Sequence, residues 1–387
     1  DFEILPNPVL TSIEPLKGYV GAVVTVVAEN LGTIAKEDIQ MMFGETPATD
    51  ITIVDESTFT VKVPSLTTFG EIPLSMTIHG VEMNMGDYAA FEILASPVIT
   101  SVETDNKFSS KAVQVGNTVT IKGTGFRNST ISSATFGGQD LNYTVVSDTE
   151  ITASVSEQCA EGEDVITFKF DDVVVDVVSS DKLNMLKAGS DISDYILTNV
   201  KQPFESKEGK ASGHCTPVGW QFNYGSGNDG FCHDESKIEE PGEGLYMNDQ
   251  GGLLVIQSGW DRLSKKMNGK MFQTFNIPQG VYDVVIDVAE LATSGNGRKK
   301  AGLFISKGGE EQTPNMDSSG NWTENTNLLK SVDFYMPGET YSENYKDRRF
   351  VIENLTIDYE GETTLGFVVH FDSNRALKIS SIKVLLK

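Results

Sequence analysis

At 387 residues the chain is too long for one ordinary domain and suits two or three. Its 55 acidic against 30 basic residues leave a formal net charge of −25, which repels phosphate backbones and anionic membrane surfaces and disfavours nucleic acid as a partner. No apolar run approaches the ~20 residues that span a bilayer, and the 36 Gly follow no fixed period, which removes collagen-like repeats.

The chain opens on a polar, Pro-containing stretch, Asp1 to Pro8, which reads as a trimmed mature end and carries no signal-peptide pattern. An internal repeat follows. Pro8-Val9-Leu10-Thr11-Ser12-Ile13-Glu14 matches Pro97-Val98-Ile99-Thr100-Ser101-Val102-Glu103 at an offset of 89. Gly21 to Val26 matches Gly116 to Ile121 at 95, Phe43-Gly44 matches Phe136-Gly137 at 93, and Phe59 to Val63 matches Ile151 to Val155 at 92. Four matches in one order, drifting by a few residues, describe one module used twice with loop insertions. Within each copy apolar residues alternate, as in Val24/Val26/Ala28, Phe59/Val61/Val63 and Ile166/Phe168/Phe170, which predicts sandwich strands with one buried face.

The order P-x-[IL]-T-S-[IV], then G-x-x-[VT]-x-[IV]-x-G-x-[GN]-[FL], then F-G, resembles the IPT/TIG family of immunoglobulin-like domains. Gly123-Thr124-Gly125-Phe126 fits the pattern well, and the first copy departs from it at Ala28-Glu29-Asn30-Leu31. The resemblance implies spacer or protein-contact modules over residues 1–95 and 96–187. Ala95-Ser96-Pro97 joins them with little slack. His79 is the one histidine in either copy and reads as structural.

From about Leu186 the character changes: all three Trp lie beyond it. Strands are legible at 253–257, 271–277, 282–288, 302–305, 349–357, 364–371 and 378–386, with long loops at 206–241 and 307–327. That pattern predicts a larger jelly-roll-type sandwich over 188–387, making the whole chain all-β. Gly269 to Tyr282 carries x-Q-x-[FI]-x-[LI]-P-x-G-x-Y, and with the closing Phe371 to Val384 it looks like the galactose-binding-like and carbohydrate-binding-module sandwiches. Pro278 and Gly280 supply the turn. Two spacers followed by such a sandwich are similar to the surface glycan-binding lipoproteins of Bacteroidota polysaccharide-utilisation systems. The resemblance implies a non-catalytic, exported, lipid-anchored protein that binds a polysaccharide or oligosaccharide beside outer-membrane glycan-import proteins, and requires no cofactor. A structural calcium is also credible for such sandwiches, although no EF-hand pattern is present.

Sugars are bound by stacking an aromatic ring on their C–H face and edging it with amides, carboxylates and Arg. Trp260 lies between Gln257-Ser258-Gly259 and Asp261-Arg262, and Trp322 lies in the polar segment Asp317 to Asn325, so both indoles are the lead candidates. The competing reading folds each ring over its own loop. Trp220, in Gly219-Trp220-Gln221-Phe222, is expected in the core. Tyr224, Phe231 and Tyr246 are secondary aromatic candidates, with Asn248, Asp249, Asp261 and Arg298 as hydrogen-bond partners.

Other motifs fail on context. Gly225 to Gly230 satisfies G-x-G-x-x-G, but no strand–helix unit surrounds it. His214, Cys215, Cys232 and His233 lack zinc-site spacing; Cys215 and Cys232 can pair in a disulfide, and Cys159 is left over. No G-x-S-x-G, H-E-x-x-H or P-loop is present. A protein-binding adhesin or scaffold that uses the spacers is the first alternative. A glycoside hydrolase or lyase, which needs only two well-placed carboxylates, is the second.

Overall fold

The computed structural model describes residues 6–128, 130–171, 176–207, 213–214, 217–224, 246–247, 252–258, 267–293, 301–317, 321–334, 345–371 and 375–387. It is built almost wholly of strands and divides into two compact units, Asp1–Leu186 and Lys187–Lys387.

The first unit holds two sandwiches of the same topology. In the first, one sheet runs in the order Val9–Glu14, Val23–Glu29, Thr58–Lys62, Thr49–Ile53. In the second, the matching sheet runs Val98–Thr104, Val119–Thr124, Glu150–Ser154, Asn142–Ser147. The repeat holds at the level of register. Val24 pairs with Val61 and Val26 with Phe59, and the matching residues pair as Val119 with Ala153 and Ile121 with Ile151. All eight side chains are buried, so the apolar alternation of each copy is its core face. Cys159 is a buried free thiol whose Sγ donates to the Phe136 carbonyl at 3.4 Å. Cys215 and Cys232 lie outside the described residues.

The departure of the first copy at residues 28–31 has a packing reason. A Cβ on Gly123 would sit 2.5 Å from Cζ of Phe126 and 2.0 Å from the Val98 carbonyl oxygen, so the ring and the backbone of the paired strand together require glycine there. The first copy puts the smaller Leu31 in place of Phe126 and accepts Ala28, fully buried, in place of Gly123. Asn30 takes the left-handed backbone (φ 59°) that Gly125 takes (φ 78°), a conformation Asn tolerates better than other side chains.

The second unit packs two sheets face to face. One runs Gln221–Tyr224, Met267–Asn276, Glu362–Phe371, Ala301–Lys307, Leu328–Asp333; the other runs Leu254–Ser258, Arg375–Leu386, Gly280–Thr293, Tyr345–Ile357. Phe334 bridges them, with its ring 4.8 Å from that of Phe350 on one sheet and 6.1 Å from that of Phe367 on the other. Trp220 is buried as the alternation predicts. It stacks on Phe367 at 5.7 Å and donates its indole N–H to the Asn199 carbonyl at 3.0 Å. The Pro278-Gln279-Gly280-Val281-Tyr282 turn closes on itself: the buried Tyr282 hydroxyl donates to the Pro278 carbonyl at 2.7 Å, and burial pushes its pKa up to about 12. The strand Leu328–Asp333 lies just beyond the predicted 307–327 loop and was not among the predicted strands.

Replacing Gly123 by Ala is expected to destabilise the first unit by about 3 kcal/mol through overpacking. The paired change Gly123→Ala with Phe126→Leu removes the ring contact but leaves the Val98 carbonyl one, so it should recover only part of the loss. Urea denaturation followed by circular dichroism checks both; equal losses in the single and paired variants would contradict the packing argument.

Candidate functional site

The three central strands of the five-stranded sheet of the second unit are buried on both faces at 270–273, 301–306 and 363–369, which is unusual beside the alternating strands of the first. Ala301 to Ser306 is buried at six successive positions. One face meets the opposite sheet. On the other, Phe272, Phe304 and Val368 form a second small core with Met316, and Trp322 and Leu328 pack against it half-buried. The register explains the room for them. Lys270 pairs with Val368, Val368 with Gly302, and Gly302 with Asp333, so these four residues form one row across four strands and share a face.

A short hairpin lies across that row. Met316 and Trp322 form a bridge; Asp317 N–H donates to the Asn321 carbonyl at 2.8 Å, and Thr323 N–H donates to the Asn315 carbonyl at 2.8 Å. The Asp317 carboxylate accepts from the Asn321 N–H at 2.9 Å and from its side-chain amide at 3.1 Å, and Thr323 Oγ1 accepts from the Asn315 N–H at 2.8 Å. The edge of the Trp322 indole rests on Gly302, where a Cβ would meet Cζ2 at 2.6 Å. Its N–H donates to Asp333 Oδ1 at 2.6 Å, a charge-assisted bond at the opposite end of the row from Lys270. Trp322 as a whole is half-buried, while Asn315, Asp317, Asn321, Thr323 and Asp333 are exposed.

At the other end of the hairpin Lys270 is 7% exposed. Its Nζ donates to Thr313 Oγ1 at 2.5 Å and to the carbonyls of Thr313 at 3.2 Å and Pro314 at 3.3 Å. Thr313 Oγ1 in turn donates to the Glu310 carbonyl at 2.6 Å. Burial lowers the Lys270 pKa, and the charge of Glu310 opposes that shift.

Of the predicted ligand-binding residues, Trp322 is therefore placed on an outer sheet face, neither in the main core nor free of the protein. Tyr224 ends the edge strand Gln221–Tyr224, and Tyr246 lies in the strand Tyr246–Met247. Trp260, Phe231, Asn248, Asp249, Asp261 and Arg298 lie outside the described residues. Sequence reading missed Gly302, Asp333 and Lys270, the residues that hold Trp322. A glycine inside the apolar run Ala301-Gly302-Leu303-Phe304-Ile305 was the available signal, since a strand glycine often marks close approach of another group. Tyr359 is a further half-buried aromatic, but the Lys307 ammonium lies 4.5 Å from its ring centroid. The first unit has a cleft of about 810 Å³ lined by Lys36, Glu37, Asp50, Thr52, Thr60 and Lys62 among others, with no aromatic ring and with Lys62 paired to Asp50 at 2.9 Å. Among the described residues no group of three or more His, Cys, Asp and Glu gathers as metal ligands, and no helix is long and apolar enough to cross a membrane.

The chain is thus an all-β protein of immunoglobulin-like sandwiches followed by a larger sandwich with an aromatic residue set on its outer face. Residues 8–92 and 97–181 match the IPT/TIG domain, so the first unit is a pair of IPT/TIG domains, and residues 198–337 match a domain of unknown function (DUF5013). No curated protein matches. Among solved structures the chain is similar to SGBP-B from a complex xyloglucan utilization locus in Bacteroides uniformis, at 14% identity and TM-score 0.23, covering 99% of this chain and 100% of that one. It is similar to the surface glycan-binding protein PbSGBP-B from Prevotella bryantii, at 13% identity and TM-score 0.20, covering 98% and 99%. It is also similar to the plexin A4 extracellular region, at 13% identity and TM-score 0.31, where 58% of this chain spans 19% of that one. At such identities and TM-scores none of these carries a ligand over to this chain.

Gly302→Ala is expected to lift the indole off the sheet, because the added Cβ would lie 2.6 Å from its Cζ2, and the 2.7 Å approach to the Val332 carbonyl adds strain in the sheet itself. The Trp322 contribution to fluorescence, taken as the difference from a Trp322→Phe reference, should shift to the red at a stability cost of about 1–3 kcal/mol. An unshifted contribution would show that the ring does not rest on residue 302.

Proposed function

We propose that this is a non-catalytic, cell-surface glycan-binding protein whose C-terminal unit stacks a sugar on Trp322, with the IPT/TIG domains as spacers. The observation that carries the reading is the anchored indole. Its N–H is already committed to Asp333 and one edge to Gly302, so the part left at the surface offers an apolar platform of fixed orientation. Exposed Asn315, Asn321 and Thr323 are its neighbours along the hairpin and bring amide and hydroxyl groups of the kind that meet sugar hydroxyls. Asp317, Glu324 and Asp333 make the rim acidic, which favours a neutral glycan over a uronic or sulfated one.

The carboxylates of Asp55, Asp181, Asp283 and Asp287 are held below the usual range by hydrogen bonds with Ser57, Val102, Lys387 and Arg349 respectively, which suits them to structural roles. The reading further expects a lipid anchor and outer-membrane glycan-import proteins as neighbours.

Affinity electrophoresis through xyloglucan, mixed-linkage β-glucan, β-1,4-galactan and polygalacturonate tests the proposal. At least one neutral polysaccharide should retard the protein, and polygalacturonate should not. Trp322→Ala should weaken retardation at least tenfold, about 1.4 kcal/mol. Undiminished retardation of a Trp260→Ala, Trp322→Ala double variant would remove the site.

A further inference from the structure

We propose that Lys270 is the positioning residue of this site: its ammonium fixes the base of the Trp322 hairpin to the sheet, so that the indole is presented in one orientation. The inference rests on the reading of Trp322 as the stacking residue.

Lys270 stands where an apolar side chain would be the default. It shares a buried face and a row with Val368 and Gly302, next to Phe272 and Phe304. Lysine is almost never fully buried unless its charge is paired. Here no carboxylate among the described residues forms an ion pair with it, and Glu310 acts on it through its charge alone. Its three N–H donors instead meet three neutral oxygens, all on residues 313 and 314. An ammonium has three donors, and a single turn of chain satisfies all of them. Such a residue is saturated by one specific backbone conformation.

Only a directional contact can do this. The apolar contacts of Met316 and Trp322 draw the hairpin onto the sheet but allow it to slide, because hydrophobic attraction has no preferred angle. Lys270 at residues 313–314 and Asp333 at the indole N–H are two polar fixings at opposite ends of one row. Between them the chain is tied by the Asn315–Thr323 and Asp317–Asn321 pairs, so a shift at the Lys270 end is transmitted to the ring.

The test uses the full chain labelled with 5-fluorotryptophan, with the Trp322 fluorine resonance assigned by Trp322→Phe and that of Trp220 kept as a reporter of the core. Lys270→Met keeps the length of the side chain and removes the donors. It should move or broaden the Trp322 resonance, leave that of Trp220 in place, and weaken retardation by the best of the four polysaccharides at least tenfold. In the unaltered protein, burial makes the Lys270 ammonium lose its proton before exposed lysines do, so the Trp322 resonance should move on the acid side of the ordinary lysine range. If Lys270→Met also displaces the Trp220 resonance, the fold itself has changed, and the titration of the unaltered protein decides. A Trp322 resonance that stays fixed in the variant and throughout the titration overturns the proposal. A Trp322 resonance that moves while retardation is unchanged leaves the positioning role standing and removes Trp322 from the glycan site.

Discussion

The two-faced burial of the central strands in the C-terminal five-stranded sheet is the constraint on which that unit depends. A sheet with one solvent face can end at its own surface, but this one presents Phe272, Phe304 and Val368 outward and must cover them. Met316 and Trp322 provide the cover, with Leu328 of the edge strand beside them. Each fully buried side chain of this kind is worth roughly 1.5–3 kcal/mol, against about 1 kcal/mol for a neutral hydrogen bond. Apolar burial therefore holds the segment down, and the hydrogen bonds decide where on the sheet it lies.

That division explains how an aromatic residue at the surface is kept in place. Trp322 belongs to the cover and borrows its rigidity from a sheet laid down by three distant parts of the chain. Met267–Asn276 contributes Lys270, Ala301–Lys307 contributes Gly302, and Leu328–Asp333 contributes Asp333. Rotamer entropy that a free loop indole would lose on meeting a ligand has already been lost in folding. The IPT/TIG domains offer a contrast, since their outer faces carry threonines and charges in place of a second core, as at Thr25, Thr60 and Lys62.

Much of the architecture was legible before any coordinates. The repeat of Gly21–Val26 at Gly116–Ile121 proved to be a repeat of strand register, because period-two alternation allows only one burial pattern once a face is chosen. The Pro278–Tyr282 turn was readable for a similar reason, since its chemistry is local. The strand Leu328–Asp333 was missed because Leu-Leu-Lys-Ser-Val-Asp shows no clean alternation, and its residues are only half-buried or exposed at a sheet edge. Trp322 stood out as an indole in a polar segment, yet nothing local said that it would lean on residue 302 or bind residue 333.

The amino-acid order by itself determined the all-β class, the two copies of one module and the placing of every tryptophan in the last unit, because these follow from periodicity and composition along a continuous stretch. Only the tertiary structure decided that Phe367 would be the ring against which the core residue Trp220 stacks, and that Trp322 would lie across an outer face, held between Lys270 and Asp333. Those fixings join residues far apart in sequence. Their meeting is set by strand order and register, which no local pattern encodes.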